Sequence, residues 1–198
     1  MAAPEPNGAQ AAASLSPVPF WFLRHGETDW NAQDLSQGNV EVPLNANGLA
    51  QARLAAERLR GRDIATIVCS PLSRARDTAN ITAAMLGLPV AIDDGLREVS
   101  FGVKEGQPMA GWFPHWIDGD FTPQGAETFA ALGRRAVAAI NRAVTLPGPV
   151  LVVSHGALFR SVRAAMGLEP NVRWPNAAPT FCEPPPPGGG AWTLTVAT

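Results

Sequence analysis

The sequence predicts an α/β fold, a three-layer sandwich in which helices flank a mainly parallel central sheet. Two observations carry this. Apolar runs of strand length alternate with segments of helical period, and three of the runs break off into polar groups suited to ligand binding. Length and composition agree, since 198 residues with 46% hydrophobic and 16% charged content suit one globular domain with a buried core. Residues 1–16, rich in Ala, Pro and Ser, read as a loose tail, and residues 17–198 as a single domain.

The elements follow in order. Val18–Leu23 (VPFWFL) is a short apolar run, read as a buried strand. Leu49, Ala52, Ala56 and Leu59 keep helical spacing, closed by Gly61. Ile64–Cys69 is a second strand, and Leu72, Ala75, Ala79 and Leu86 mark a second helix ended by Gly87 and Pro89. Pro89–Ile92 is a weak strand. Residues 100–126 have no period and carry Trp112, Phe113, Trp116 and Phe121, which suit either a lid over a site or a small satellite core. Phe129, Leu132, Ala136, Ile140 and Ala143 give a further helix. Val150–Val153 is the strongest strand, a helix follows from Leu158 to Met166, and Trp192–Val196 is the last strand. PPPPGGG at 184–190 is a turn-rich loop.

Charge and cysteine usage exclude several classes. A net charge of −2 gives no footprint for nucleic acid or an anionic membrane. The first 17 residues contain neither Lys nor Arg, unlike a secretory leader, and no segment is long and apolar enough to span a bilayer. Cys69 and Cys182 are too few for a disulfide framework and form no metal-ligand cluster, so reduced thiols and a cytoplasmic setting are expected. No heptad or apolar stripe fixes an oligomeric state.

In a parallel sheet, ligands bind beyond the carboxyl ends of the strands, and three groups fall there. Arg24-His25-Gly26 follows the first strand: Gly allows close backbone approach, Arg offers a fork of donors for phosphate oxygens, and a neutral His is a nitrogen nucleophile. Thr28 and Asn31 add donors. By itself His25 also fits a packed strand-end histidine. Ser154-His155-Gly156 repeats the arrangement, using the second of only three histidines; the third, His115, reads as a surface or lid residue. In Ser70–Arg74, Pro71 can open a helix and Arg74 sits in its first turn. A cation is unfavourable there unless an anion arrives or a carboxylate pairs with it. Glu98, in GLREVSFG, is a candidate general acid.

RHGETDWN, QG…PLNANG, SPLSRARDTA, LREVSFG, GAETF and VLVVSHGALFR together resemble, in order, the signatures of the histidine phosphatase superfamily, also called phosphoglycerate-mutase-like, from about Phe20 to Asn176. The resemblance implies that His25 is the phosphohistidine and that Arg24, Arg74 and His155 bind the phosphoryl group. Glu98 is then the proton donor that later activates water, and Asn31, Gln37, Gly38 and Ala157 are secondary phosphate contacts. It implies no metal and no cofactor, with a small phosphorylated compound as substrate. Mutases of the family typically carry Arg-His-Tyr after the acid, then an insertion with Lys and paired Arg. Here Val99-Ser100-Phe101 follow Glu98, and residues 106–126 hold no Lys or Arg, so a phosphoglycerate is expected to be poorly held. LREVSFGVKEG resembles the phosphatase branch, although Lys104 stands where an aromatic is common. A phosphoglycerate mutase, or a member that binds phospho-ligands without turnover, is the alternative.

Overall fold

A computed structural model describes residues 14–198; most of the expected tail, residues 1–13, lies outside the described residues. Six strands form one sheet in the order β3-β2-β4-β1-β5-β6. They are β1 (Phe20–Arg24), β2 (Thr66–Cys69), β3 (Val90–Ile92), β4 (Val150–Ser154), β5 (Thr180–Glu183) and β6 (Thr193–Val196). The first four pair in parallel, while β5 runs antiparallel to both β1 and β6. The helices are α1 (Asp29–Ala32), α2 (Ala46–Leu59), α3 (Ser73–Leu86), α4 (Phe113–Asp118), α5 (Phe129–Ala143) and α6 (Gly156–Ala165).

The pleat sends alternate side chains to opposite faces, and this builds the three layers. Phe20, Phe22, Val150 and Val152 pack with Leu132, Ala136 and Ile140 of α5 and with Leu158, Phe159 and Val162 of α6. Trp21, Leu23, Leu151 and Val153 pack on the other face with Ala55 and Leu59 of α2 and Ala79 and Ala83 of α3. Strands covered on both faces read as continuous apolar runs, which is why β1 and β4 stand out in the sequence.

Two differences from the sequence reading matter. β5 was not expected: TFCE is short, and Pro179 and Pro184 flank it. Its antiparallel pairing makes the sheet mixed at one edge. Residues 14–16, read as tail, dock on α5. Leu15 is buried in the core, the Ser16 amide donates to Asn141 Oδ1 at 2.8 Å, and Asn141 Nδ2 donates to the Ser14 carbonyl at 2.9 Å.

The aperiodic segment packs as core. Phe101 sits at the centre of an aromatic cluster, with ring centroids 5.2 Å from Trp112, 5.8 Å from Phe113 and 5.2 Å from Trp116. Both indole N–H groups are satisfied, Trp112 by the Pro108 carbonyl and Trp116 by that of Glu127. Phe121 is exposed.

Candidate active site

Parallel pairing of β1 with β4 places Arg24 opposite Ser154, so the residues that follow each strand emerge side by side. The imidazoles of His25 and His155 lie 5.2 Å apart between centroids. The His25 amide donates to the Ser154 carbonyl at 2.9 Å, which ties the two turns together. Gly26 is required by close approach: a Cβ there would lie 2.4 Å from the Gly48 carbonyl oxygen, and one on Gly48 2.0 Å from that of Glu27. This backbone contact seats the start of α2 on the His25 turn.

His25 is held in one tautomer. Its Nδ1 lies 2.7 Å from the Gly26 carbonyl oxygen, which can only accept, so Nδ1 carries the proton and the neutral ring presents a bare Nε2. Burial, then Arg74 and Arg24, push the imidazole well below its usual range, so the ring is neutral and nucleophilic. His155 is also pushed down, by burial first and then by Arg74, His25 and Arg24. Its Nε2 meets Ser70 Oγ at 2.7 Å, while the buried Nδ1 has no partner.

Two buried guanidiniums flank His25. Arg24 donates to the Trp174 carbonyl at 2.6 Å, and Arg74 to the carbonyls of Gly38 and Val40 at 2.7 and 2.9 Å. Neither is paired with a carboxylate, so the ion pair open to Arg74 in the sequence is not formed. Each keeps a buried Nε without a partner, and burial lowers both to about 10. Gly156 lets Arg24 lie flat across the start of α6, its Cβ position being 3.2 Å from the Arg24 Nε. The expected anion-seeking helix terminus is already occupied: Glu41 accepts from the Ser73 amide and hydroxyl at the start of α3.

Glu98 enters from the other side. Its Oε1 accepts from the amides of Val99 and Leu158 at 3.1 and 2.9 Å, and its Oε2 from that of Ala157 at 3.0 Å. Oε2 therefore has the freer lone pair. The backbone of this loop is fixed by Arg135, which donates to the carbonyls of Gly95 and Arg97 at 3.0 and 2.8 Å and pairs with Glu127 at 2.6 Å.

A pocket of about 60 Å³ is lined by Arg24, His25, Asn31, Gln37, Arg74, Glu98 and Ala157, with Phe113 and Met109 of the aperiodic segment as walls. Asn31 Oδ1 accepts from the Thr28 amide and from Asn176 Nδ2, leaving its own NH2 for the pocket. Four expected contacts sit otherwise. Thr28 caps α1, its hydroxyl accepting from the Asn31 amide, and does not line the pocket. Gly38 acts through its carbonyl on Arg74, with the Glu105 side chain filling the space beside it. The Ala157 amide is taken by Glu98. His155 lies behind His25, fully buried, and is not part of the lining.

The structure adds residues that the sequence reading missed. Ser70 holds His155, and Asn176 Nδ2 donates to the His25 carbonyl at 2.9 Å. Arg160, Arg173 and Trp174 line the pocket. Arg160 lies one helical turn after Gly156, a spacing that could have revealed it; the loop carrying Arg173 and Trp174 has no local signal. Among the described residues, no group of three or more His, Cys, Asp or Glu could hold a metal ion, and no helix is long and apolar enough to cross a membrane.

Residues 20–182 match the family profile of the histidine phosphatase superfamily (branch 1). The chain belongs to this superfamily. A Yersinia enterocolitica protein named "Probable phosphoglycerate mutase GpmB" is 40% identical over 164 residues, covering 76% of each chain. A mycobacterial glucosyl-3-phosphoglycerate phosphatase solved with VO3 superposes with a TM-score of 0.76 at 27% identity, over 91% of this chain and 98% of that one. A structure described as mycobacterial hydrolase 1 gives 0.77 at 28% identity, over 91% and 97%. The fold is thus that of superfamily enzymes, both phosphatases and mutase-like proteins.

Proposed function

We propose that the protein is a metal-independent phosphomonoester hydrolase that works through a phosphohistidine on His25. The observation that carries this reading is the fixed tautomer of His25, with a bare Nε2 beside two buried guanidiniums that have no carboxylate partner. Nε2 attacks phosphorus in line and the bond to the leaving oxygen breaks. Arg24 and Arg74 stabilise the charge on the equatorial oxygens. His155 acts from behind, through Nδ1 if Ser70 donates to its Nε2. Glu98, protonated on Oε2, gives its proton to the leaving alkoxide. The resulting carboxylate then takes a proton from water, whose oxygen attacks phosphorus; the N–P bond breaks, inorganic phosphate leaves and His25 is restored. Asn31 and Gln37 add polar contacts to the bound group, and residues 109–113 wall the leaving-group side. With both cysteines buried as free thiols, a cytoplasmic setting suits the chain.

The test is hydrolysis of p-nitrophenyl phosphate in excess EDTA, wild type beside His25→Ala. Turnover that survives EDTA and disappears in the variant is expected, with an acid-labile, alkali-stable phosphoenzyme on rapid quench. Turnover that persists in the variant or needs added metal refutes the mechanism. Interconversion of phosphoglycerates without net phosphate release would make the protein a mutase, as the name of the Yersinia relative suggests for that protein.

A further inference from the structure

The loop between α6 and β5 is bonded to the turn that carries His25. Trp174 offers its carbonyl to Arg24 Nη1 at 2.6 Å, and the Ala177 amide donates to the Arg24 carbonyl at 3.0 Å. Asn176 Nδ2 donates to the His25 carbonyl at 2.9 Å and to Asn31 Oδ1 at 3.2 Å. Behind the loop stands Arg163, a buried cation that the proposed chemistry does not use. Its Nε donates to the Glu169 carbonyl at 2.9 Å, and its guanidinium lies over the Trp174 ring at 5.1 Å. The same ring packs edge-on against Phe159, 5.4 Å between centroids, and its Nε1 donates to Thr180 Oγ1 at 2.8 Å. Backbone and ring contacts therefore hold this loop without the Asn176 side chain.

The Asn176 amide has one orientation. The His25 carbonyl can only accept, so the group that meets it is the NH2. The Asn31 amide is equally determined: the Thr28 N–H, 3.2 Å away, can only donate, so Oδ1 faces it. One Asn176 NH2 thus joins the backbone of His25 to Asn31 Oδ1. Asn31 lines the pocket and Asn176 does not. A reversed Asn31 would aim a carbonyl oxygen at a bound phosphoryl oxygen, lone pair against lone pair, in place of a donor. Both bonds to Oδ1 are 3.2 Å, the long end of the N–H···O range, so the orientation rests on the pair rather than on either bond.

We infer that Asn176 is a positioning residue of the phosphoryl site. It does not touch the substrate; it fixes Asn31 as a donor to the bound group and ties that donor to the backbone of the nucleophile. This rests on His25 and Asn31 lying at the phosphoryl end of the pocket, as proposed above. The test is a double-mutant cycle read by calorimetric binding of orthovanadate, an analogue of the transferred group that needs no turnover. Asn31→Ala is expected to weaken binding about tenfold, and Asn176→Leu, which keeps the size and loses the amide, about threefold or more. The double variant should match Asn31→Ala within about twofold, since Asn176 then has nothing left to orient. Asn176→Ala, which adds no bulk, takes the place of the Leu variant in the cycle if that protein melts below the assay temperature. Penalties that multiply in the double variant, as a merely structural role requires, overturn the inference. So does an unchanged affinity in either single variant, or no binding of vanadate by the wild type. A coupled loss in a protein that hydrolyses no ester would sink the hydrolase reading and leave the role of Asn176 standing. Multiplied penalties in a protein whose p-nitrophenyl phosphate hydrolysis vanishes with His25→Ala would do the reverse.

Discussion

Lowering the pH from about 7.5 to about 5.5 should destabilise the protein by an amount that two histidines set. His25 and His155 are 2% and 0% exposed, and burial, followed by the charge of Arg74, pushes both well below the ordinary 6.5. In the unfolded chain each ring takes up a proton as pH falls through 6.5, while the folded chain keeps both neutral. The unfolded state then binds more protons across the window, so stability falls as pH falls. Each ring loses about 1.4 kcal/mol between the two pH values, and the pair about 2.7 kcal/mol. At roughly 2–4 °C per kcal/mol for a chain of this size, Tm should drop by about 5–11 °C. The depressed carboxylates Glu27, Glu41 and Asp93 lose their contributions only as pH falls toward and below their ordinary 4.5, 4.5 and 3.8, outside the window. Thermal melts followed by circular dichroism at constant ionic strength provide the assay. His25→Asn, which keeps a donor for the Gly26 carbonyl but does not titrate, should halve the drop. A flat Tm in the wild type, or equal drops in the two proteins, would refute neutral burial of these rings.

Arg135→Met strips the Glu98 loop of its carbonyl clamp and leaves Glu127, whose side chain is 22% exposed, without its ion pair. A loss of about 2 kcal/mol is expected, with kcat falling more than KM rises, read from melts and steady-state kinetics on p-nitrophenyl phosphate. Thr28→Ala removes the capping hydroxyl of α1 and should cost about 1 kcal/mol, which Thr28→Ser recovers; a KM that rises several-fold at unchanged Tm would show a substrate contact instead. Trp112→Ala, at 7% exposure within the Phe101 cluster, should cost about 3–5 kcal/mol. Phe113→Ala should alter the ranking of substrates, measured on a panel of phosphomonoesters; a changed ranking in the Trp112 variant and not in the Phe113 variant would reverse these assignments.

The parts of the fold legible in the sequence are those with strong periodicity and full burial. β1 and β4 are apolar on both faces, and α3 and α5 keep their helical stripes, so their positions and their order in the chain follow from pattern alone. The central pair His25 and His155 follows as well, because each stands at the end of a buried strand. β5 escapes because four residues between prolines carry too little pattern. Thr28 is read from residue type near a motif, and Gly38 and Ala157 from the family resemblance. Residue type identifies a donor, but not the partner that packing brings to it first: a helix start for Thr28 and a carboxylate for Ala157. Glu98 shows the same limit, since its three amide partners come from two segments far apart in the chain.

The sequence argument against an acidic leaving group looked for positive charge where other family members carry it, in residues 106–126, and that stretch does hold no Lys or Arg. The pocket obtains its charge elsewhere. Arg160 is delivered by the helix that begins at the second His-Gly turn, and Arg173 by the loop after that helix. Absence of charge from one segment therefore does not make the pocket neutral, because a pocket at the end of a parallel sheet collects residues from every connection above it. The lining sums to four guanidiniums against one carboxylate. Phe113 and Met109 then shape the wall beside those groups, so the segment without charge still contributes to the pocket through its apolar side chains.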